Sequence, residues 1–165
     1  MTDNRPTWKQ YFMNITYLIA TRSSCLRRKV GAVLVKDKRI LATGYNGAPK
    51  GLTHCQMKSG SEYECLRNKY NVPSGQKQEL CRGLHAEQNA LIQAANYGIS
   101  TENAIMFCNL TPCIVCSKMM INAGISTIYF DGNYPEGIGL KMLEDAGIKL
   151  ERVEFEKIEY ENIAE

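Results

Sequence analysis

The sequence lacks the features that mark secreted, membrane and low-complexity proteins. No apolar run approaches the roughly 18 residues that a membrane-spanning helix needs. Residues 1–10 are polar and have no apolar core of the kind found in signal peptides. There is also no internal repeat, linker or biased segment. We therefore expect a soluble protein of the cytoplasm that has no membrane partner.

The chain also lacks a large excess of charge of either sign. Its 165 residues carry a formal net charge of +3, and no broad basic stripe runs along them. A small anionic substrate fits this balance better than a nucleic acid polymer does. The apolar share of 44% and the length are those of an ordinary globular protein. We expect one domain over residues 1–165.

Cysteine, in contrast, is abundant. Seven cysteines are many for a cytosolic protein of this size. Without a secretion signal they do not indicate a disulfide framework. A chain of this length can bury enough surface to fold without cross-links. Metal binding is therefore the first explanation to consider.

Hydrophobic periodicity predicts helices that alternate with strands. Apolar residues at helical spacing open the chain, and a β-branched run follows as the first half of a hairpin. An insert at residues 49–82 shows little periodicity, so something must hold it in place. The alternation predicts a sheet with helices packed on its faces. The predicted helices are 8–22, 84–97, 113–123 and 135–146, and the predicted strands are 30–35, 39–44, 104–110, 126–130 and 148–155.

Two short motifs at the starts of predicted helices carry the chemistry: His85-Ala86-Glu87 and Pro112-Cys113-Ile114-Val115-Cys116. A spacing of three residues places the two sulfurs on one helical face. A zinc ion with three protein ligands keeps a fourth position for water, whose pKa then falls to about 7. A glutamate beside such a zinc moves protons in nucleobase deaminases. The alternative is that Glu87 only stabilises a helix N-terminus and that the cysteines are simply buried.

These motifs resemble those of a known family when they are taken with Val30-Gly31-Ala32-Val33 and Gly44-Tyr45-Asn46-Gly47. Over residues 8–150 the chain is similar to the deoxycytidylate (dCMP) deaminases, within the cytidine deaminase-like superfamily. The resemblance implies an α/β fold of three layers, α-β-α, around a central mixed five-stranded sheet. It also implies that His85, Cys113 and Cys116 bind zinc, and that Glu87 carries protons during attack of hydroxide on C4 of cytosine.

The resemblance extends to residues that would contact the substrate. It implies that Asn46 contacts the sugar, that the backbone of Ala86 contacts the base and that Tyr134 contacts the nucleotide. From the residues alone, Asn46 has another interpretation, because asparagine is common in turns that need the left-handed region.

The group that binds the 5′-phosphate is less clearly marked. Arg27, Arg28 and Lys29 are chemically suitable, since arginine can bind phosphate through two parallel hydrogen bonds. A basic cluster beside a strand is most often a solvated surface, which is the alternative for these three residues.

Five cysteines lie outside the catalytic motif. Cys108 lies in a predicted strand, where a free thiol acts as a small apolar side chain. The other four lie inside the insert or near its edges, and a closed tetrahedral zinc would hold that insert together. These four are Cys25, Cys55, Cys65 and Cys81.

Some dCMP deaminases bind a second, structural zinc in this region. By resemblance, Cys25, Cys55 and Cys81 match its ligand positions. We take Cys65 as the fourth ligand, with His54 as its substitute. Four inert cysteines are the alternative.

We predict zinc-dependent hydrolysis of dCMP to dUMP and ammonia, which feeds thymidylate synthesis. One alternative is a deaminase of another base or nucleotide, such as dCTP, cytidine, guanine or tRNA adenosine. Another is a non-catalytic zinc protein that binds nucleotides, against which Glu87 argues because a structural zinc needs no proton carrier. The resemblance also implies a homo-oligomer, often a hexamer, with dCTP and dTTP as effectors.

Overall fold

The computed structural model describes residues 5–56, 60–132 and 137–154. Helices and strands alternate along these residues as the sequence predicts. The helices are α1 (Trp8–Ala20), α2 (Leu66–Lys69), α3 (Ala86–Asn96), α4 (Ile114–Asn122) and α5 (Gly137–Asp145). The strands are β1 (Gly31–Lys36), β2 (Arg39–Tyr45), β3 (Ile105–Leu110), β4 (Thr127–Gly132) and β5 (Lys149–Arg152).

The five strands form one mixed sheet in the order β2-β1-β3-β4-β5. Strand β1 runs antiparallel to both of its neighbours, whereas β3, β4 and β5 are parallel to one another. The β1–β2 hairpin turns at Asp37 and Lys38, which both have positive φ. Positive φ at both central residues is the conformation of a two-residue type I′ turn. The predicted hairpin and the mixed five-stranded sheet are confirmed.

Helices cover both faces of this sheet. On one face α1 buries Phe12 and Met13 in a cluster with Val33 and Phe107. Because neighbouring residues of a strand point to opposite faces, Leu34 belongs to the core on the other side. That larger core lies beneath α3, α4 and α5. The three layers are therefore α1, the sheet, and the group of α3, α4 and α5, as predicted.

Helix α3 approaches β2 very closely at Gly44. A Cβ atom at this position would lie 2.1 Å from the carbonyl oxygen of Ala86. Only glycine leaves room for that approach. One helical turn later, the side chain of Asn89 donates a hydrogen bond to the carbonyl of Tyr45 at 2.7 Å. The first turn of α3 is therefore fixed against the end of β2.

The insert has more structure than its lack of periodicity indicates. It contains α2 and a 3-10 helix, Gln78–Leu80. Among its described residues, the side chains of Cys65, Arg67 and Val72 are buried. The lack of periodicity in this part of the sequence therefore does not mean a lack of local structure. Helix α2 has only four residues, too few to show a helical period.

The remaining differences from the predicted elements lie at their ends. Helix α1 ends at Ala20, two residues before the predicted boundary. The predicted helix 135–146 and strand 148–155 each include residues outside the described ranges, and their described parts form α5 and β5. Within the described residues, none of the helices has the length and the apolar character needed to cross a membrane.

Candidate active site

Three predicted zinc ligands lie together at the N-terminal ends of two helices. His85 is the N-cap residue of α3, Cys113 is the N-cap residue of α4, and Cys116 lies in the first turn of α4. Their ligand atoms all lie within 4.8 Å of one another. The sulfur of Cys113 is 3.3 Å from Nδ1 of His85, and that of Cys116 is 3.4 Å away. The first turns of α3 and α4 therefore bring a histidine and two cysteines to one point.

The donor set and its geometry fit zinc. Zinc binds nitrogen at about 2.0–2.1 Å and thiolate sulfur at about 2.3 Å, so tetrahedral ligands lie about 3.5 Å apart. The separations between Nδ1 of His85 and the two sulfurs are close to this value. Nδ1 is thus the histidine nitrogen that faces the metal position. Three ligands of this kind leave a fourth position for water.

Local hydrogen bonds hold these ligands in place. The backbone N–H of His85 donates to the side-chain oxygen of Gln88 at 2.8 Å. The hydroxyl of Ser117 donates to the carbonyl of Cys113 at 3.0 Å. Thr111 and Pro112, which connect β3 to the helix, are buried. The ligands therefore start from short, packed connections and not from long loops.

The two thiols of the site have opposite proton affinities. The hydrogen bond that Cys113 accepts from Cys116, together with a second one from His85, lowers the pKa of Cys113 to about 4. The same hydrogen bond and burial raise the pKa of Cys116 far above its usual value. One thiol thus shares its proton with one thiolate. A bound divalent cation would favour the deprotonated form of both sulfurs, as zinc coordination requires.

Glu87 lies beside the ligands and is buried. Glu87 is only 5% exposed. Burial raises the pKa of its carboxyl group, and the neighbouring His85 opposes that rise. A carboxyl group whose pKa moves towards neutrality can both accept and return a proton. Glu87 also lies in the wall of a cavity that His85 and Cys113 line.

Asn46 lines this cavity, and hydrogen bonds hold its side chain on both sides of the amide. Its predicted contact with the sugar stays a prediction. Its Oδ1 accepts from the N–H of Val30 at 2.9 Å and from the hydroxyl of Ser23 at 2.5 Å. Its Nδ2 donates to the carbonyl of Arg28 at 2.9 Å. Asn46 is not among the described residues with positive φ, so the left-handed turn interpretation is wrong. Its amide fixes the segment that enters β1 against the end of β2.

The other predicted substrate contacts have different outcomes. Ala86, Arg27 and Arg28 line the same cavity. Ala86 is fully buried, Arg27 is half-buried and Arg28 is exposed. Tyr134 lies outside the described residues, so its predicted contact stays a prediction.

The four cysteines assigned to a second zinc converge on the same cavity but are less tightly grouped. Among the described residues, only the group of His85 with the two α4 cysteines has three ligand atoms within 4.8 Å of one another. Burial, followed by the nearby thiols of the other three, raises the pKa of Cys55. His54, the substitute ligand, is exposed and does not line the cavity. The cavity-lining cysteines are Cys25, Cys55, Cys65 and Cys81.

Two residues of the insert belong to this site although the sequence did not mark them. Arg67 is 8% exposed and lines the cavity. The side-chain oxygen of Gln78 lies 3.6 Å from the sulfur of Cys113. Both belong to stretches without periodicity, where sequence alone does not show which side chains turn inwards. The nearby Cys65 was the single signal that could have drawn attention to Arg67.

Comparison with known proteins supports this site. The deoxycytidylate deaminases of Schizosaccharomyces pombe and Saccharomyces cerevisiae are 38% and 37% identical in sequence to this protein. These matches cover 88% and 92% of this chain. The chain spans about half the length of these relatives, 44% and 46%. ComE operon protein 2 of Bacillus subtilis is 37% identical over 93% of this chain and 75% of its own length.

A solved structure matches the whole architecture. The dCMP deaminase from the cyanophage S-TIM5, in complex with dCMP and dUMP, has a TM-score of 0.72 and 32% identity. The match covers 92% of this chain and 100% of that chain. Residues 6–131 also match the cytidine and deoxycytidylate deaminase zinc-binding region. The chain therefore belongs to the zinc-binding cytidine and deoxycytidylate deaminase family.

Proposed function

We propose that this chain is a zinc-dependent hydrolase that converts dCMP to dUMP and ammonia. One observation carries the proposal: a three-ligand zinc site and the buried carboxyl of Glu87 border the same cavity. The choice of substrate is supported by the names of the two yeast relatives and by the dCMP and dUMP bound to the cyanophage protein.

Different residues of the chain would have different roles in this reaction. When bound, zinc would supply a Lewis acid that lowers the pKa of a water molecule. His85, Cys113 and Cys116 would hold it, and Glu87 would take a proton from the water. Glu87 would then deliver protons to the ring and to the leaving amino group. The balance is dCMP plus water giving dUMP plus ammonia, with the new C–O bond and the broken C–N bond both at C4.

Asn46 and Ala86 would position the nucleotide. The Nδ2 group of Asn46 gives one of its two N–H groups to the carbonyl of Arg28, which leaves the second for a sugar oxygen. The backbone of Ala86, at the start of α3, would contact the base. The hydrogen bonds that hold Asn46 keep this donor in a fixed direction, which lowers the entropy lost on binding.

The decisive experiment is ammonia release from a panel of substrates by the zinc-loaded protein. The panel contains dCMP, dCTP, cytidine, guanine and tRNA with adenosine at the wobble position. We expect turnover of dCMP above all others. Inertness toward both dCMP and dCTP would contradict the proposal. Turnover of guanine or tRNA alone would identify a different deaminase, and inertness toward every member would favour a non-catalytic zinc protein.

We also propose that a second, structural zinc binds Cys25, Cys55, Cys65 and Cys81. Two observations support it: all four line one cavity, and the other three thiols act on the pKa of Cys55. Metal binding would draw the sulfurs together, since such sites are commonly completed by the ion itself. The ion would hold together the insert, which contains only short helices.

Zinc counting with a matched pair of variants tests the second site. Cys81→Ala should lower the metal content from about two zinc ions per chain to about one. Cys108→Ala is the control, because Cys108 is buried in β3 and does not line the cavity. It should leave the count unchanged. A wild-type protein that carries a single zinc would rule out this second site.

The remaining proposals come from the resemblance. We propose a homo-oligomer, with a hexamer as the expected form, that responds to dCTP and dTTP, and a cytoplasmic location. We also propose that residues 1–165 are one domain, since the described helices pack on one sheet. Light scattering with and without each effector would measure the number of subunits and any change in it.

A further inference from the structure

Two arginine side chains are held side by side by consecutive carbonyl groups. Nη2 of Arg27 donates to the carbonyl of Val72 at 2.8 Å, and Nη2 of Arg67 donates to the carbonyl of Pro73 at 3.1 Å. Arg27 comes from the segment before β1, whereas Arg67 comes from α2 of the insert. Both line the cavity that contains Glu87, and both also line a second, adjoining hollow. The Val72-Pro73 segment therefore brings two positive charges together at the cavity wall.

Within the described part of the chain, Arg67 forms no ion pair. Arg67 is 8% exposed, and its Nε is buried without a hydrogen-bond partner. None of the ion pairs found among the described residues includes Arg27 or Arg67. A buried charge is costly unless it is paired and hydrogen-bonded. The two arginines are thus arranged to receive an anion.

The shape of the donors indicates which anion fits. A guanidinium group binds phosphate through two parallel N–H groups, and it keeps its charge at any physiological pH. Arg67 still offers Nε, and each side chain uses one Nη2 bond to stay in place. Asn68 and Asn71 add amide groups to the wall of the adjoining hollow. A phosphate monoester bound here could belong to the same nucleotide whose base lies beside Glu87.

We propose that Arg67, together with Arg27, binds the 5′-phosphate of the nucleotide, so that the insert distinguishes a nucleotide from a nucleoside. This inference rests on the proposed deamination of a nucleotide in the same cavity. It makes Arg67 a specificity-determining residue for the reaction. It also gives the insert a role in substrate choice beyond any metal that it binds.

Calorimetric titration of the zinc-loaded protein with inorganic phosphate tests the anion site without relying on catalysis. Arg67→Gln keeps a polar side chain but removes the charge and the planar fork. We expect its phosphate affinity to fall by about tenfold to a hundredfold, the value of one charge-assisted contact. Arg27→Gln should weaken binding in the same direction, and it tests the pair even if the insert variant fails to fold. Wild-type phosphate affinity in either variant would overturn the proposal.

Arg82 supplies a matched control. It is another arginine of the insert with a buried Nε that lacks a hydrogen-bond partner. Its guanidinium lies over the ring of Tyr63, 4.9 Å from the centroid, and it does not line the cavity. Arg82→Gln should therefore keep the phosphate affinity of the wild type. An equal loss in Arg82→Gln and Arg67→Gln would indicate general damage to the insert and would overturn the assignment.

Kinetics then connect the anion site to the substrate. For Arg67→Gln we expect KM for dCMP to rise by about tenfold to a hundredfold while kcat changes little, because the contact is the same in the ground and transition states. The kcat/KM for deoxycytidine, which has no phosphate, should stay at the wild-type value. Equal losses for both substrates would contradict the proposal.

The two hypotheses fail in different ways. If the wild type converts dCMP and Arg67→Gln does so with an unchanged KM, the phosphate assignment is wrong and the proposed function stands. If the wild type deaminates nothing in the panel but loses phosphate binding with Arg67, the proposed function fails. The arginine pair is then an anion site, and its assignment to the substrate of this reaction is overturned.

Discussion

The protein holds its two groups of cysteines in different ways. Cys113 and Cys116 are three residues apart at the start of one regular helix, and they meet His85 at the start of another. The four cysteines associated with the insert are spread over residues 25–81 and lie on segments between the regular elements. The first group is already close enough to bind an ion. The second lines the cavity without that close grouping.

The comparison shows where each site gets its geometry. The sheet positions the ligands of the first group, because α3 is packed against β2 at Gly44 and α4 follows β3 after three buried residues. The ligands of the insert have few such contacts, so a metal would have to supply the geometry by coupling its binding to local folding. A catalytic zinc must keep one coordination position open in a defined direction, whereas a structural zinc only has to hold segments of the chain together.

The largest expected effect comes from Glu87→Gln. Glutamine has nearly the same shape but cannot take a proton from water, so we expect kcat for dCMP to fall by about a hundredfold to ten-thousandfold. The zinc content and the melting temperature should stay near those of the wild type, because Glu87 is not a ligand. Ammonia release, metal analysis and thermal unfolding measure the three properties.

A variant that keeps wild-type turnover would show that Glu87 is not the proton carrier. Loss of zinc along with turnover would show that the carboxyl supports the metal site and is not only catalytic. Either outcome would contradict the assignment of Glu87 to proton transfer alone, separate from the residues that bind zinc.

Removal of zinc should separate the two regions next. After treatment with a chelator, we expect trypsin to cleave at Lys69 and Lys77, which are exposed in the insert, at least about tenfold faster. This estimate corresponds to about 1.4 kcal/mol of lost local stability. Amides of β1 and β3 should keep their protection from hydrogen exchange, because these strands lie between two cores. Proteolysis with mass spectrometry and hydrogen exchange report the two regions separately.

Equal protection of the insert with and without zinc would show that side-chain packing alone orders it. The buried Cys65, Arg67 and Val72 would then be sufficient, and the contrast between the two groups of cysteines would disappear. Exposure of β1 and β3 would instead show that the zinc stabilises the whole fold.

The sequence predicted the closeness of the two α4 cysteines because their geometry is local. A three-residue spacing on a helix has a fixed meaning, and Cys113 and Cys116 needed no knowledge of the rest of the fold. The five strands were found for a similar reason, since β-branched runs and polar turns mark them directly. The contact between the two motifs could be predicted only through the family resemblance.

The contacts of the insert could not be predicted in this way. Arg67 is buried because Pro73 accepts its hydrogen bond and the cavity lies beside it, and neither fact leaves a pattern in the sequence. Asn46 shows the same limit. The family resemblance implied a sugar contact and the residue type suggested a turn, but neither indicated that its amide also holds Val30 and Arg28 in place.

Two glycine variants, one from each region, test the same contrast. Gly44→Ala would place a Cβ atom 2.1 Å from the backbone of α3. We expect a loss of about 3 kcal/mol in the free energy of unfolding, as for strong overpacking. We also expect lower kcat, because the helix that carries His85 and Glu87 must move. Gly51 has a φ of +85° and no atom within 4 Å of such a Cβ.

Gly51→Ala should therefore cost only the strain of a left-handed alanine, about 1 kcal/mol, and should leave kcat unchanged. Urea unfolding and ammonia release on the same two variants measure both quantities. If Gly44→Ala keeps full activity, the close approach of α3 to β2 does not set the position of the catalytic residues. If Gly51→Ala lowers kcat as much as Gly44→Ala does, the geometry of the insert is coupled to the zinc site as tightly as that of the sheet. The difference between the two variants thus measures how far the catalytic centre depends on the sheet and how far on the insert.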